Sequence, residues 1–317
     1  MKNLYSLLFA SMLAVGVLAG CGETKTEEKE KASQTEASFP VTIKDADDKE
    51  VVIDEKPEKI VSLIPSNTEI AFALGLGDEM VGVSDYDNYP KETADIEKVG
   101  GTEFNVEKII SLKPDLVLAH ASSAHNSAEG LQQLRDAGID VLVVNDAANF
   151  NGVYESIDMI GEATGETEEA AELVEDMKEK MTDIKEKASK ISAEEQKSVY
   201  IEVSGEPSIY TTGKNTFMQE MLDTINAKNV VTKAGWIQVD QEAIIKANPD
   251  VIITTYGSYA TEDPVKQVLS RKGWEDVTAV KEKAAADVNS DIVTRSGPRL
   301  VEGVEELAKA VYPNEFK

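Results

Sequence analysis

Glu107-Lys-Ile-Ile-Ser-Leu-Lys-Pro114-Asp115-Leu-Val-Leu118 returns 135 positions later as Glu242-Ala-Ile-Ile-Lys-Ala-Asn-Pro249-Asp250-Val-Ile-Ile253. Glu, Ile-Ile and Pro-Asp keep their spacing in both copies. Each copy reads as a short helix, a Pro-Asp stop and a buried strand. A repeat near half the chain length implies two similar lobes with a cleft between them. The period is far too long for a solenoid.

Working outward, the pattern alternates strands and helices. Residues 59–64 form an apolar strand run. Pro65-Ser66-Asn67-Thr68-Glu69 follows, and Ser66 with Glu69 three positions later predicts a capping box opening a helix. That helix ends at Gly75 and Gly77. Further strands are predicted at 80–84, 116–119 and 140–145, with a helix at 128–137 stopped by Gly138. The second half repeats the scheme: strands at 198–203 and 251–254, helices at 217–225 and 298–311. This order predicts α/β lobes, each with a mainly parallel sheet flanked by helices.

Between the lobes, residues 166–196 hold no Gly or Pro. Ala170, Val174, Met177, Met181, Ile184, Ala188 and Ile191 are spaced alternately four and three apart, which is one apolar seam on a long helix. Roughly three heptads is short for a coiled-coil dimer, so an intramolecular connector is the better reading. The predicted organisation is an N-terminal ligand-binding lobe at 39–160, one long backbone helix at 161–196 and a C-terminal lobe at 197–317, in a monomer.

The first 20 residues carry Lys2, an apolar run and Leu18-Ala19-Gly20 before Cys21, the pattern of a secretory signal. The run is too short for a comfortable membrane span. Leu-Ala-Gly-Cys resembles the lipobox of bacterial lipoproteins, which implies acylation of Cys21 and anchorage at the extracytoplasmic face of the cell membrane. Cys21 is the chain's one cysteine, so no internal disulfide forms. Residues 21–38 are polar and charged, a disordered tether with a reach on the order of 20 Å. The chain carries 59 acidic against 32 basic residues, a net charge of −27. That excludes nucleic acid as a partner and argues against broad contact with an anionic membrane.

The folded portion, about residues 55–315, resembles the substrate-binding lipoproteins of ABC importers. The match is to their helical-backbone class, which serves cobalamin, siderophores and haem. The matching stretches are Pro65-Ser-Asn-Thr-Glu-Ile-Ala-Phe72, Val81-Gly-Val-Ser-Asp-Tyr86-Asp-Asn-Tyr89-Pro90, Asn105-Val-Glu107-Lys-Ile-Ile and Trp236-Ile-Gln-Val-Asp240-Gln-Glu242. The first two, with Trp236, lean towards the cobalamin-binding members. The resemblance implies that Glu107 and Glu242, one per lobe, dock on the two subunits of an ABC permease. Both follow an N-capping residue by two, Asn105 and Asp240, where an acid is also favoured by the helix dipole at about 0.3–1 kcal/mol.

A corrinoid or porphyrin is large, flat and partly apolar, and its pocket needs aromatic faces with a few polar groups. Candidates in loops after strands are Tyr86, His120, Tyr210, Trp236 and Tyr256. The resemblance adds Asp291 and Arg295, in the polar segment before the last helix. It puts Tyr86, Tyr210 and Trp236 at pocket positions, whereas His120 and the Gly100-Gly101-Thr102 stretch depart from it. The expected cargo is a corrinoid, with haem or a ferric siderophore as the alternative; His120 with Tyr256 would suit haem iron. With four arginines in the chain, a highly anionic siderophore fits less well. No P-loop, nucleophile elbow or cysteine cluster supports an enzyme, and no catalytic cofactor or bound metal is expected. An adhesive lipoprotein is the remaining class.

Overall fold

The computed structural model describes residues 39–317; the expected signal segment 1–20, the expected lipidation site Cys21 and the expected tether 21–38 lie outside the described residues. The chain enters through a hairpin the sequence reading did not anticipate, β1 (Val41–Lys44) and β2 (Glu50–Ile53). The first half then runs β3 (Ile60–Ser62), α1 (Pro65–Ala73), β4 (Met80–Gly82), α2 (Val106–Leu112) and β5 (Leu116–His120). It continues through α3 (Ala121–Ala124), α4 (Ala128–Asp136), β6 (Asp140–Val144) and α5 (Phe150–Thr164). Its sheet is parallel throughout, in the order β4-β3-β5-β6.

Helix α6 (Thr167–Ala188) follows the left-handed Gly165. Its 22 residues give a rod of about 33 Å. This is shorter than the span 161–196 expected from the seam: residues up to Thr164 belong to α5, and the far end stops at Ser189. There Ser192 folds back on Glu195, its backbone N–H and hydroxyl both donating to Oε2, which starts a separate turn. The seam itself is as read. Ala170, Val174, Met177, Met181, Ile184, Ala188 and Ile191 are all buried, in one core that also contains residues of both halves.

The second half runs β7 (Ser198–Ser204), β8 (Tyr210–Thr212), α7 (Phe217–Thr224), β9 (Lys228–Asn229), β10 (Trp236–Gln238) and α8 (Gln241–Ala247). It closes with β11 (Val251–Thr254), α9 (Pro264–Leu269), α10 (Thr278–Lys281), β12 (Ala285–Asp287), α11 (Ser290–Thr294) and α12 (Leu300–Val311). Strands β9, β7, β11 and β12 are parallel, but β8 and β10 join the sheet antiparallel. The second half therefore departs from the first at one edge.

The repeated motif has the same structural use in each half. Helices α2 and α8 both end on a residue in the left-handed conformation, Lys113 (φ 53°) and Asn248 (φ 49°). The following aspartate then ties the start of the neighbouring parallel strand. Asp115 Oδ2 accepts the backbone N–H groups of Glu58 and Lys59 at 3.0 and 2.9 Å, ahead of β3. Asp250 Oδ2 accepts the Ser198 N–H at 2.8 Å and its hydroxyl at 2.6 Å, at the start of β7. Pro-Asp is thus a clamp between two parallel strands as well as a helix stop.

Candidate functional site

The expected capping box at α1 is not formed. Pro65 opens the helix after Ile64, Ser66 lies inside it with its hydroxyl unpaired, and Glu69 turns away. Glu69 is 3% exposed and is held from the other half of the chain. Arg299 donates to both of its oxygens, Nε to Oε2 at 2.9 Å and Nη2 to Oε1 at 2.6 Å, and Arg295 Nη1 donates to Oε1 at 2.9 Å. A carboxylate this deep needs such partners, because an unpaired buried charge is costly.

The network spreads along the seam between the halves. Arg295 Nη1 also donates to Asn88 Oδ1 at 2.8 Å, while Asn88 Nδ2 donates to Asp291 Oδ2 at 2.9 Å. Arg295 pairs with Asp291 at 3.0 Å, and the Arg299 guanidinium lies 3.8 Å from the centroid of the Tyr89 ring. The two polar candidates, Asp291 and Arg295, are therefore brought together, in a bridge between the halves. Glu69, Asn88, Tyr89 and Arg299 complete that bridge. Only the scarcity of arginine hinted at it: three of the four form close ion pairs with buried glutamates.

Next to the bridge, aromatic side chains are left exposed at the C-terminal ends of the strands. Tyr86 follows β4 and is 57% exposed, its phenol in a 3.1 Å hydrogen bond with the Thr102 hydroxyl. A Cβ on Gly101 would stand 2.8 Å from the Tyr86 Oη, so the ring occupies the space that a side chain there would need. Beside Tyr86 lies a hollow of about 150 Å³ whose walls include Leu63, Ile64, Phe104 and Ala119. Tyr210, 42% exposed, opens β8 opposite Ser204, the last residue of β7. Trp236, 49% exposed, sits farther back: it pairs with Thr212 at the other end of β8, and its ring meets Phe217 edge-on at 6.1 Å.

His120 and Tyr256 are not among the exposed residues. His120 is buried at the end of β5, with Nδ1 2.8 Å from the Ser122 hydroxyl. Burial pushes its pKa down, against the opposing effects of Asp146 and the Asn145 backbone. Tyr256 is buried in a second ion-pair network. Its phenol donates to Glu202 Oε1 at 2.7 Å, and Arg271 grips both Glu202 oxygens at 2.7 and 2.8 Å while lying over Trp274. Burial and the Glu202 hydrogen bond push the Tyr256 phenol up. The two are not presented as a pair of free iron ligands. Tyr256 is held inward by Glu202, 54 positions away in the chain, whereas the Ser122 partner of His120 lies two positions on.

Glu107 and Glu242 are exposed in the first turns of α2 and α8, each following a side-chain cap from Asn105 or Asp240. Neither forms an ion pair among the described residues. Asn105 N–H reaches Val99 O, whose own N–H bonds Val83 just past β4, and Val239 N–H reaches Ile209 O just ahead of β8. Both glutamates therefore rise at the strand ends that carry Tyr86 and Tyr210. Ile110, one turn after Glu107, is exposed too.

Two α/β halves, a shared helix and exposed aromatics at the strand ends define a solute-binding protein, and residues 60–291 match the periplasmic binding protein family. The chain belongs to that family, one of binding proteins and not of enzymes. It is 55% identical over 318 residues to the uncharacterized ABC transporter substrate-binding lipoprotein YvrC of Bacillus subtilis, with both chains covered in full. It is 27% identical over 321 residues to the cobalamin-binding protein of Halobacterium salinarum, covering 98% of this chain and 85% of that one. Among solved structures, a possible iron-binding (periplasmic solute-binding) protein from Staphylococcus epidermidis is 37% identical. It superposes with a TM-score of 0.73, covering 81% of this chain and 100% of that one.

Proposed function

We propose that this chain is the substrate-binding component of an ABC importer and that it carries a corrinoid such as cobalamin. The observation that carries this reading is the exposure of Tyr86 and Tyr210 at strand ends of the two halves that the Arg295 bridge joins. Open α/β sheets gather ligands at such ends, and a flat macrocycle is recognised by aromatic faces. Trp236 adds an exposed aromatic face on the second half, and Arg295 and Asp291 supply polar groups beside the Tyr86 loop. Relatives named an ABC transporter substrate-binding lipoprotein and a cobalamin-binding protein support the reading.

In this reading Cys21 bears the lipid that holds the protein at the outer face of the membrane. Residues 21–38 act as its tether, and the halves 39–160 and 197–317 are the two ligand-binding lobes. Among the described residues no helix is long and apolar enough to cross a membrane. Glu107 and Glu242 stand on the two permease subunits; their exposure and equivalent placement support that role. The protein captures its cargo as a monomer and delivers it without chemical change.

Haem or a ferric siderophore is the second reading, supported by the Staphylococcus epidermidis relative named as possibly iron-binding. Iron ligation by His120 and Tyr256 would first require His120, 4% exposed, to come out of its buried position and Tyr256 to leave Glu202. Titration of the purified protein with cyanocobalamin, haemin and a ferric hydroxamate separates the readings. Saturable quenching of tryptophan fluorescence by cyanocobalamin is expected. Saturation by haemin or the hydroxamate alone would replace the corrinoid reading, and no response to any of the three would overturn this class of cargo.

A further inference from the structure

A further aromatic side chain stands at the strand ends of the second half. Tyr259 follows β11 by five positions and is 64% exposed. Its exposure is not looseness. The phenol donates to Val203 O at 3.2 Å, on β7, the strand paired with β11. The ring leans on Tyr256, with centroids 6.5 Å apart and planes inclined by 44°. Tyr256 is fixed in turn by Glu202 and Arg271. The backbone also closes here, with the N–H groups of Tyr259 and Ala260 both reaching Tyr256 O.

The surroundings place this ring beside the bridge between the halves. Partial burial pushes the Tyr259 phenol up, and the Ser290 side chain nearby opposes that shift. Ser290 precedes Asp291, which bonds Asn88 in the loop that carries Tyr86. Holding a side chain still while leaving its face in solvent costs rotamer entropy and buries little. That cost is offset when a ligand covers the face, because a preorganised ring loses less freedom on binding.

We infer that Tyr259 is a specificity-determining residue of the second half, laying its ring against the flat face of a macrocyclic cargo. The inference rests on the macrocycle reading proposed above. A planar corrin or porphyrin gains from an aromatic platform, whereas a compact ferric hydroxamate presents no such face.

The test uses the full chain and its variants Tyr259→Ala, Tyr259→Phe and Tyr259→Trp, titrated with cyanocobalamin, haemin and a ferric hydroxamate. For the macrocycle that the wild type binds, Y259A should weaken affinity about tenfold, as for a central aromatic contact. Y259F and Y259W keep a ring and should stay within about threefold of wild type. The thermal midpoint of Y259A should fall by no more than about 4 °C, since the residue is largely exposed and gives up one hydrogen bond. Unchanged affinity in Y259A, or an equal loss in Y259F, would overturn the inference and leave the proposed function standing. A wild type that binds neither macrocycle would overturn both.

Discussion

Glu69 and Arg299 lie 230 residues apart in the chain and meet through two hydrogen bonds, at 2.9 and 2.6 Å, with Arg295 adding a third to the same carboxylate. One buried acid on α1 thus ties the loop before α12 to the first half. Glu69→Ala would leave two guanidinium groups, both mostly buried, without their partner. Breaking a buried pair costs about 3–5 kcal/mol. E69A is expected to lower the denaturant midpoint by a corresponding amount. Arg295→Ala should cost less, because Arg299 still holds both oxygens. Equal midpoints for wild type and E69A would show that the bridge contributes nothing.

Tyr256 gives a second separation of structure from ligand binding. Tyr256→Phe removes one hydrogen bond to an ionised carboxylate, worth about 1.5–3 kcal/mol. Glu202 keeps Arg271, so the fold should survive with a lower midpoint. Affinity for the cargo should stay within about twofold, because the phenol faces the interior. A variant with normal stability and lost binding would restore Tyr256 to the ligand surface.

Glu107 and Glu242 should matter to transport and not to capture. The double variant E107A/E242A is expected to bind cargo as the wild type does and to fail in cellular uptake. Each single variant should show an intermediate defect. Normal uptake by the double variant would remove these acids from the docking role.

His120 sets a pH dependence with a definite sign. Its folded pKa lies below the ordinary value of 6.5, so the unfolded chain takes up the proton first as the pH falls. The stability contributed by the neutral ring is complete above 6.5 and is lost as the pH drops through the folded pKa. Asp87, pushed up by burial, works in the opposite direction on acidification, so the comparison must be with a variant. The stability difference between wild type and His120→Asn, measured by urea unfolding, should shrink between pH 7.5 and pH 5. A difference independent of pH would mean that the imidazole titrates alike in both states.

The features legible in the sequence were those with a local period. The seam of α6 declared itself by its spacing of three and four, and Ile109 and Ile244 fall at equivalent buried positions because the motif around them repeats. Glu69 was misread for the same reason. Ser66 and Glu69 match a local capping pattern, while the partners that decide the acid's fate lie in the loop before α12. Tyr256 and His120 looked like pocket residues because loops after strands usually carry function. The burial of Tyr256 depends on Glu202 and Arg271, which are far from it in the chain, and that of His120 on β5 running to its last residue beside Val144 of β6. The β8–β10 edge escaped notice because its strands have three residues each, too few to show alternation.

Because α2 and α8 begin beside the C-terminal ends of β4 and β7, Glu107 and Glu242 stand at the same strand ends that carry Tyr86 and Tyr210. A receptor resting on both acids would become a roof over those strand ends. The cargo would then pass straight upward into the receptor's vestibule, and no separate exit would have to open elsewhere on the surface.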